Sequence, residues 1–573
     1  MFLLRRRTIL VSLAAALAFV APVLVPSAQA VSIKAAVPAG ASGTTATAVF
    51  AGGLSSCALL KGGQIKCWGS NVDGKLGLGD TSTRGDGAGE MGDYLPTVDL
   101  GTGRKVKSVA MGENHTCAIL DNGLVKCWGD NEFGQLGLGS TSDRGDAPNE
   151  MGNNLPYVRF GGGRKAKSLA LGVGFSCALL DNATVKCWGK NDVGQLGLGD
   201  TASRGDNESV SSLPVVDLGR KAKGITAGSS HACALLDNGT VKCWGGNDFG
   251  QLGLGDTSDR GDGADEMGAL LGAVPLGRKA KSVGAGRNHN CALLDNGTVK
   301  CWGYNGEGSL GLGDNLHRGD DESVTAVPAV DFGTTRKVKT LITGGLGWHN
   351  CATFDDGSIK CWGYNDGSGT LGLGDDYNHG DNAGEMGTSL PFLVVGGGRT
   401  VKAIIGGSDH TCSLLDNNTV KCWGWNLQGQ LGYGDQAHRG DNEAIDAVPS
   451  VNLGVRVKSV YTGAYHSCAL LENNTVQCLG ENDYGQLGLG DTSWRGNNSG
   501  EMGDNLPAVD LGTGRTAKAL GVGPEANHSC AILDNGLLKC WGHNQFGQLG
   551  LGDTGDRGDG AGEMRDHPAA VAL

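Results

Sequence analysis

The stretch HTCAILDNGLVKCWG, residues 115–129, decides the fold. His115 to Leu120 and Leu124 to Trp128 are two short β-like runs. Asp121-Asn122-Gly123 lies between them. A three-residue loop ending in glycine is a common hairpin connection, with the glycine in the left-handed region. In that register Leu120 faces Leu124, Ile119 faces Val125 and Cys117 faces Cys127. Cys117, Ile119, Val125 and Cys127 then share one face of the hairpin, because side chains alternate along a strand. Opposed cysteines on antiparallel strands are close enough for a disulfide.

The pattern recurs through the chain. The other cysteines are Cys57 and Cys67, Cys177 and Cys187, Cys233 and Cys243, Cys291 and Cys301, Cys351 and Cys361, Cys412 and Cys422, Cys468 and Cys478, and Cys530 and Cys540. All 18 cysteines are used, each pair ten residues apart. Zinc sites want more closely spaced ligands, so the pairs read as nine structural disulfides. A fixed period of this size marks a propeller or a solenoid. Outward from the hairpin, Val106 to Met111 is a preceding strand, and Leu155-Pro156 opens a last short strand to Phe160. Each unit is therefore expected to hold about four short strands, the content of one propeller blade. The 102 glycines among 573 residues then belong to tight turns and not to low complexity.

Gly112, His115-Thr116, Trp128-Gly129, Asn131 and Gly134 to Gly137 resemble the repeat of the regulator of chromosome condensation family. The pattern returns at Trp188-Gly189, Asn191 and Gly194 to Gly197, and again through Trp541-Gly542, Asn544 and Gly547 to Gly550. The resemblance covers residues 46–573 and implies an all-β fold, a β-propeller of about nine four-stranded blades. A single nine-bladed ring is the first reading, closed by Ala46 to Phe50 meeting Ala569 to Leu573; a seven-bladed ring plus two extra units is the alternative. The cysteine pairs and the longer polar loop depart from the family pattern. The resemblance also implies a rigid disc with two loop-bearing faces that binds proteins. The nuclear members act as nucleotide exchange factors on chromatin, settings that an exported acidic chain does not meet.

Residues 1–30 read as a signal peptide: Arg5 to Arg7, an apolar run from Ile9 to Val25, and Ala28-Gln29-Ala30 before the cleavage point. Residues 31–45 read as a linker and 46–573 as the propeller. The expected location is secreted or cell-surface, where disulfides persist. The net charge of −13 argues against nucleic acid and anionic membranes. Nothing after residue 30 is apolar for long enough to span a bilayer.

Histidine recurs two residues before the first cysteine, at His115, His231, His289, His349, His410, His466 and His528. Ser55 and Phe175 fill that position in two units, which favours packing over a ring of ligands. Arg-Gly-Asp begins at Arg84, Arg144, Arg204, Arg260, Arg318, Arg439 and Arg557. Its fixed place in the repeat argues for a local turn with an Arg–Asp interaction, against integrin-type adhesion. Asp80, Asp86, Glu90 and Asp93, with Asp553, Asp559 and Glu563, form an acidic rim. Calcium on these loops is a minor alternative, since the spacing matches no known calcium repeat. No catalytic motif, cofactor site or metal set stands out. The expected function is a monomeric binding module for an extracellular protein: a scaffold, inhibitor or adhesin. The alternative is an enzyme or lectin acting on carbohydrate in a central channel. Trp348, Trp425, Tyr461, Tyr465 and Trp494 vary between units and are the expected binding residues, since aromatics anchor interfaces.

Overall fold

The computed structural model describes residues 45–51, 54–112, 114–343, 349–365, 367–523, 526–565 and 570–573. The expected signal peptide, nearly all of the linker, and Trp348 lie outside these residues. Nine three-stranded antiparallel sheets follow one another along the chain. In unit 2 the strands are Val106–Met111, His115–Leu120 and Val125–Gly129. Among the described residues there is no α-helix, and no helix is long and apolar enough to cross a membrane.

The hairpin register is Cys117 opposite Cys127, Ile119 opposite Val125 and His115 opposite Gly129. Leu120 N donates to Leu124 O at 2.8 Å, and Gly123 takes φ +78°. Ala183, Asn418 and Asn474 occupy the same left-handed position in units 3, 7 and 8, at a cost of about 1–2 kcal/mol where the residue is alanine. Every first strand carries a β-bulge after its first residue; in unit 2 Val106 pairs with Leu120 and Ser108 with Ile119, leaving Lys107 over.

The expected fourth strand is reduced. In unit 2 it makes a single ladder bond, Val158 N to Val125 O at 2.9 Å, and unit 1 repeats this with Val98 N to Ile65 O. Proline explains the reduction: Pro156 has no N–H to offer, and the chain turns again at Gly161. Leu155, Val158 and Phe160 are nonetheless buried, so the segment covers the sheet edge by packing.

The core lies between units. One cluster joins Cys117, Ile119, Val125 and Cys127 of unit 2 to Ala166, Leu169, Leu180 and Trp188 of unit 3. The turn of one unit also receives the next unit's tryptophan: Trp188 Nε1 donates to Gln135 O at 2.8 Å. Unit 9 meets unit 1 in the same way, with Trp68 Nε1 to Gln548 O at 2.8 Å and one cluster containing Ala46, Leu60, Trp68, Ile532, Leu549 and Val571. The first strand of unit 1 and residues 571–573 share this cluster, and among the described residues no ladder pairs the one with the other. Val571 N bonds Leu538 O, and Ala572 O accepts from Gly92 N.

Candidate functional site

Residues common to all units serve the frame. The structure bonds Cys57 to Cys67, Cys117 to Cys127 and the seven equivalent pairs, leaving no free cysteine among the described residues. The histidines link units. His115 Nε2 lies 2.9 Å from Ser176 Oγ, which donates to Gln135 O at 3.0 Å. His528 reaches Ser56 of unit 1 at 2.7 Å, and His231 reaches Asn290 at 3.1 Å. Their seats are dry: burial pushes His115, His231, His410 and His528 down to about 4 and His466 to about 3. His289 is lowered for the same reason.

These shifts set a pH dependence. A ring whose folded pKa lies below the ordinary 6.5 stabilises the fold fully above 6.5. That contribution is lost as pH falls toward 4, at about 3 kcal/mol for a ring shifted to 4. Some loop carboxylates oppose this. Burial raises Glu322 to about 7 and Asp381 to about 6, so their destabilising ionisation is relieved on acidification. Six lowered histidines outweigh them. The melting temperature is therefore expected to fall steeply between pH 5.5 and 4, measured by near-ultraviolet circular dichroism; a flat profile there contradicts the assignment.

The third-strand lysines are internal, a role that sequence reading did not identify. Lys126 is 1% exposed, and its ammonium caps the Gly152 carbonyl of the polar loop; Lys186 Nζ donates to Val210 O at 2.7 Å. In unit 8 Gln477 Nε2 does the same to Leu506 O at 2.7 Å.

The Arg-Gly-Asp segment is a latch between units. Gly145 has φ +91°, and its carbonyl accepts from Gly79 N at 2.9 Å and Asp80 N at 3.1 Å of the preceding unit. A Cβ there would stand 2.7 Å from Gly74 O. In most units the arginine pairs with the aspartate four residues upstream, as in Arg260–Asp256 and Arg439–Asp435, not with the aspartate of its own triplet; in unit 2, where Ser140 fills the upstream position, Arg144 pairs with Glu150. Asp86 turns instead toward Glu90, and burial together with that contact raises its pKa. Glu90 in turn accepts from Gly85 N and Gly87 N at 2.9 and 2.7 Å. Most of the acidic rim is thus spent on loop geometry. Among the described residues, Asp320, Asp321 and Glu322 bring carboxylate oxygens within 4.8 Å of one another and could hold a cation.

Residues that differ between units gather at one end of the sheets, where the second strand begins and the third ends. There Phe249 of unit 4 packs on Tyr304 and His317 of unit 5, with ring centroids 5.2 Å away from each. Trp425 stacks on His438 at 4.7 Å, and Tyr484 meets His543 at 4.5 Å. Of the expected binding residues, Trp425, Tyr465 and Trp494 stand at this end. Trp425 N bonds Asp409 O, and Trp494 Nε1 donates to Asp483 Oδ1 at 2.7 Å. Burial raises the Tyr465 hydroxyl, and Asp409 and Glu481 add to it. Tyr461 stands apart, mid-strand opposite Cys468, against the core between units 8 and 9.

Carboxylates crowd the same end. Asp73 of unit 1 lies near Asp130 and Asp146 of unit 2, and burial with these neighbours raises its pKa. Asp143 is raised by burial and by the same group. The signal for Phe249, Tyr304, His317, His438, Tyr484 and His543 was present in the sequence. Each occupies a slot two residues after the asparagine of Trp-Gly-x-Asn (Leu-Gly-x-Asn in unit 8), just after Trp-Gly, or just before Arg-Gly-Asp, where units disagree.

An RCC1-like domain model matches residues 28–383, and models of the regulator of chromosome condensation (RCC1) repeat match 401–430, 457–486 and 526–548. The chain is 30% identical over 402 residues to the Ultraviolet-B receptor UVR8 of Arabidopsis thaliana, covering 70% of this chain and 81% of that one. It is 30% identical over 329 residues to the mitochondrial RCC1 domain-containing protein RUG3 of Arabidopsis thaliana, covering 57% of this chain and 66% of that one. Prp20p of Saccharomyces cerevisiae aligns in structure with a TM-score of 0.42 at 18% identity, covering 84% of this chain and 91% of that one.

Proposed function

Because the chain belongs to the regulator of chromosome condensation repeat family, we propose that it is a non-catalytic, protein-binding β-propeller: nine blades closed into one ring, exported to an oxidising compartment. Ring closure is supported by the contacts of unit 9 with unit 1, which repeat those between units 2 and 3, His115 with Ser176 and Trp188 with Gln135 O. Each fourth segment, single-bonded but packed, completes its blade. Export is supported by the apolar N-terminal run and by a full set of disulfides.

The observation that carries the reading is the aromatic and acidic end just described. Shared residues are consumed by the frame, while Phe249, Tyr304 and Trp425 of units 4, 5 and 7 and Tyr465, Tyr484 and Trp494 of unit 8 stand at the same end of their sheets. Rigid aromatics beside carboxylates suit a protein partner that presents basic side chains, through cation–π and ion-pair contacts. Fold alone does not name that partner.

The test places a photo-crosslinking residue at Leu427 or Glu307, at the aromatic end, and separately at the opposite end at Leu537, in protein exposed to the extracellular fraction. A specific adduct from the first two sites only, lost in a Tyr304→Ala/Trp425→Ala/Trp494→Ala variant with an unchanged melting temperature, is expected. Equal adducts from both ends, or turnover of a glycan by the purified protein, would overturn the reading.

A further inference from the structure

We propose that the hairpin end of the molecule, opposite the aromatic face, binds a linear phosphate polymer through a row of bulge lysines. The residue left over at the first-strand bulge is Lys107, Lys167, Lys223, Lys281, Lys339, Lys402, Lys458 and Lys518 in units 2 to 9. Only unit 1 differs, with Thr47. A bulge residue has no ladder partner and is the usual way to re-aim a side chain. All eight lysines are exposed. The frame does not need them, yet they recur where neighbouring positions vary.

First strands of neighbouring units pack on one another, as between units 2 and 3, 3 and 4, and 9 and 1. The lysines therefore stand side by side along one inner edge. Other charges at this end are largely matched. Arg220 and Arg278 bond the hairpin carboxylates Asp237 and Asp295 at 2.8 and 2.7 Å, and Arg336 pairs with Asp356 at 2.9 Å. Lys402 and Lys458 touch the hairpin amides Asn418 and Asn474, and the other six have no such tether among the bonds described. The net charge of −13 conceals this edge: carboxylates stand at the same end too, but they sit on the hairpin tips and several are paired with arginines, as Asp237, Asp295 and Asp356 are.

Lysine is a compact point charge that attracts phosphate without reading bases. Arg220, Arg278 and Arg336, which could fork onto a base edge, are held by carboxylates. The lysines also lie two residues inside the level of the hairpin tips, which carry Asp121, Asp181, Asp237 and Asp295. A thin, flexible phosphate chain reaches them. A rigid duplex meets the tip carboxylates first.

The experiment titrates inorganic polyphosphate into the full-length oxidised protein by calorimetry at several salt concentrations. Binding is expected at 0.15 M salt, weakened at least tenfold in a five-site Lys→Ala variant at positions 107, 167, 223, 281 and 339. The salt dependence should lose about 3–4 units of log–log slope, since each phosphate contact releases about 0.7 counterion from a single strand. The corresponding Lys→Arg variant should retain binding, and Lys190→Ala/Arg287→Ala on the opposite face should leave it unchanged. Absence of polyphosphate binding, indifference to the five-site change, or tighter binding of duplex DNA of equal charge would each overturn the proposal.

Discussion

Reduction of all nine disulfides is expected to unfold the protein at room temperature, while the oxidised form stays folded well above it. Each bridge closes a loop with a sequence separation of ten. In the chain-entropy account, such a loop lowers the freedom of the unfolded chain by about 2–3 kcal/mol. Native proteins are stable by only about 5–15 kcal/mol, so nine simultaneous losses exceed the margin. The geometry adds a second reason. Cys117, Cys127 and their counterparts are members of the clusters between units, so reduction also loosens packing where neighbouring units meet. The check is thermal unfolding with and without a strong reductant, followed by tryptophan fluorescence. One Cys→Ala pair, at positions 233 and 243, should cost about 2–5 kcal/mol. A melting temperature unmoved by full reduction would refute the role given to the bridges.

Trp302→Ala is the point substitution with the largest expected effect, about 3–5 kcal/mol. Trp302 is fully buried, its indole N–H donates to Gln251 O at 3.0 Å, and it joins the cluster between units 4 and 5. Alanine leaves a cavity at a junction where neither side can collapse, because Gly253 already packs its backbone on the indole. Trp302→Leu should cost clearly less, since unit 8 carries Leu479 in this seat at 3% exposure. Chemical denaturation curves for both variants decide the point; equal losses would show that the indole's size is not what the junction uses.

Much of the frame was legible. HTCAILDNGLVKCWG specified the loop length, the register and the cysteine pairing, and the structure reproduces that register in every unit. The fourth strand was read too strongly, because an apolar alternation around Pro156 looks like a strand while the missing N–H limits pairing to one bond. The Arg-Gly-Asp segment was legible as a turn but not as a contact between units. Its glycine approaches the backbone of a residue some seventy positions earlier, which no local pattern reveals. Lys126 and Lys107 look alike in the sequence, yet one is sealed under a loop and the other projects from a bulge.

The division follows from the range of the forces. Hairpins depend on turn chemistry and on alternation within about fifteen residues, so local sequence settles them. Which side chains of different units share an end depends on how neighbouring sheets dock. That docking is set by tryptophan, histidine and glycine contacts between residues roughly fifty to seventy positions apart. The hairpin came from the chain itself, whereas the aromatic face and the lysine edge exist only once the units are packed together.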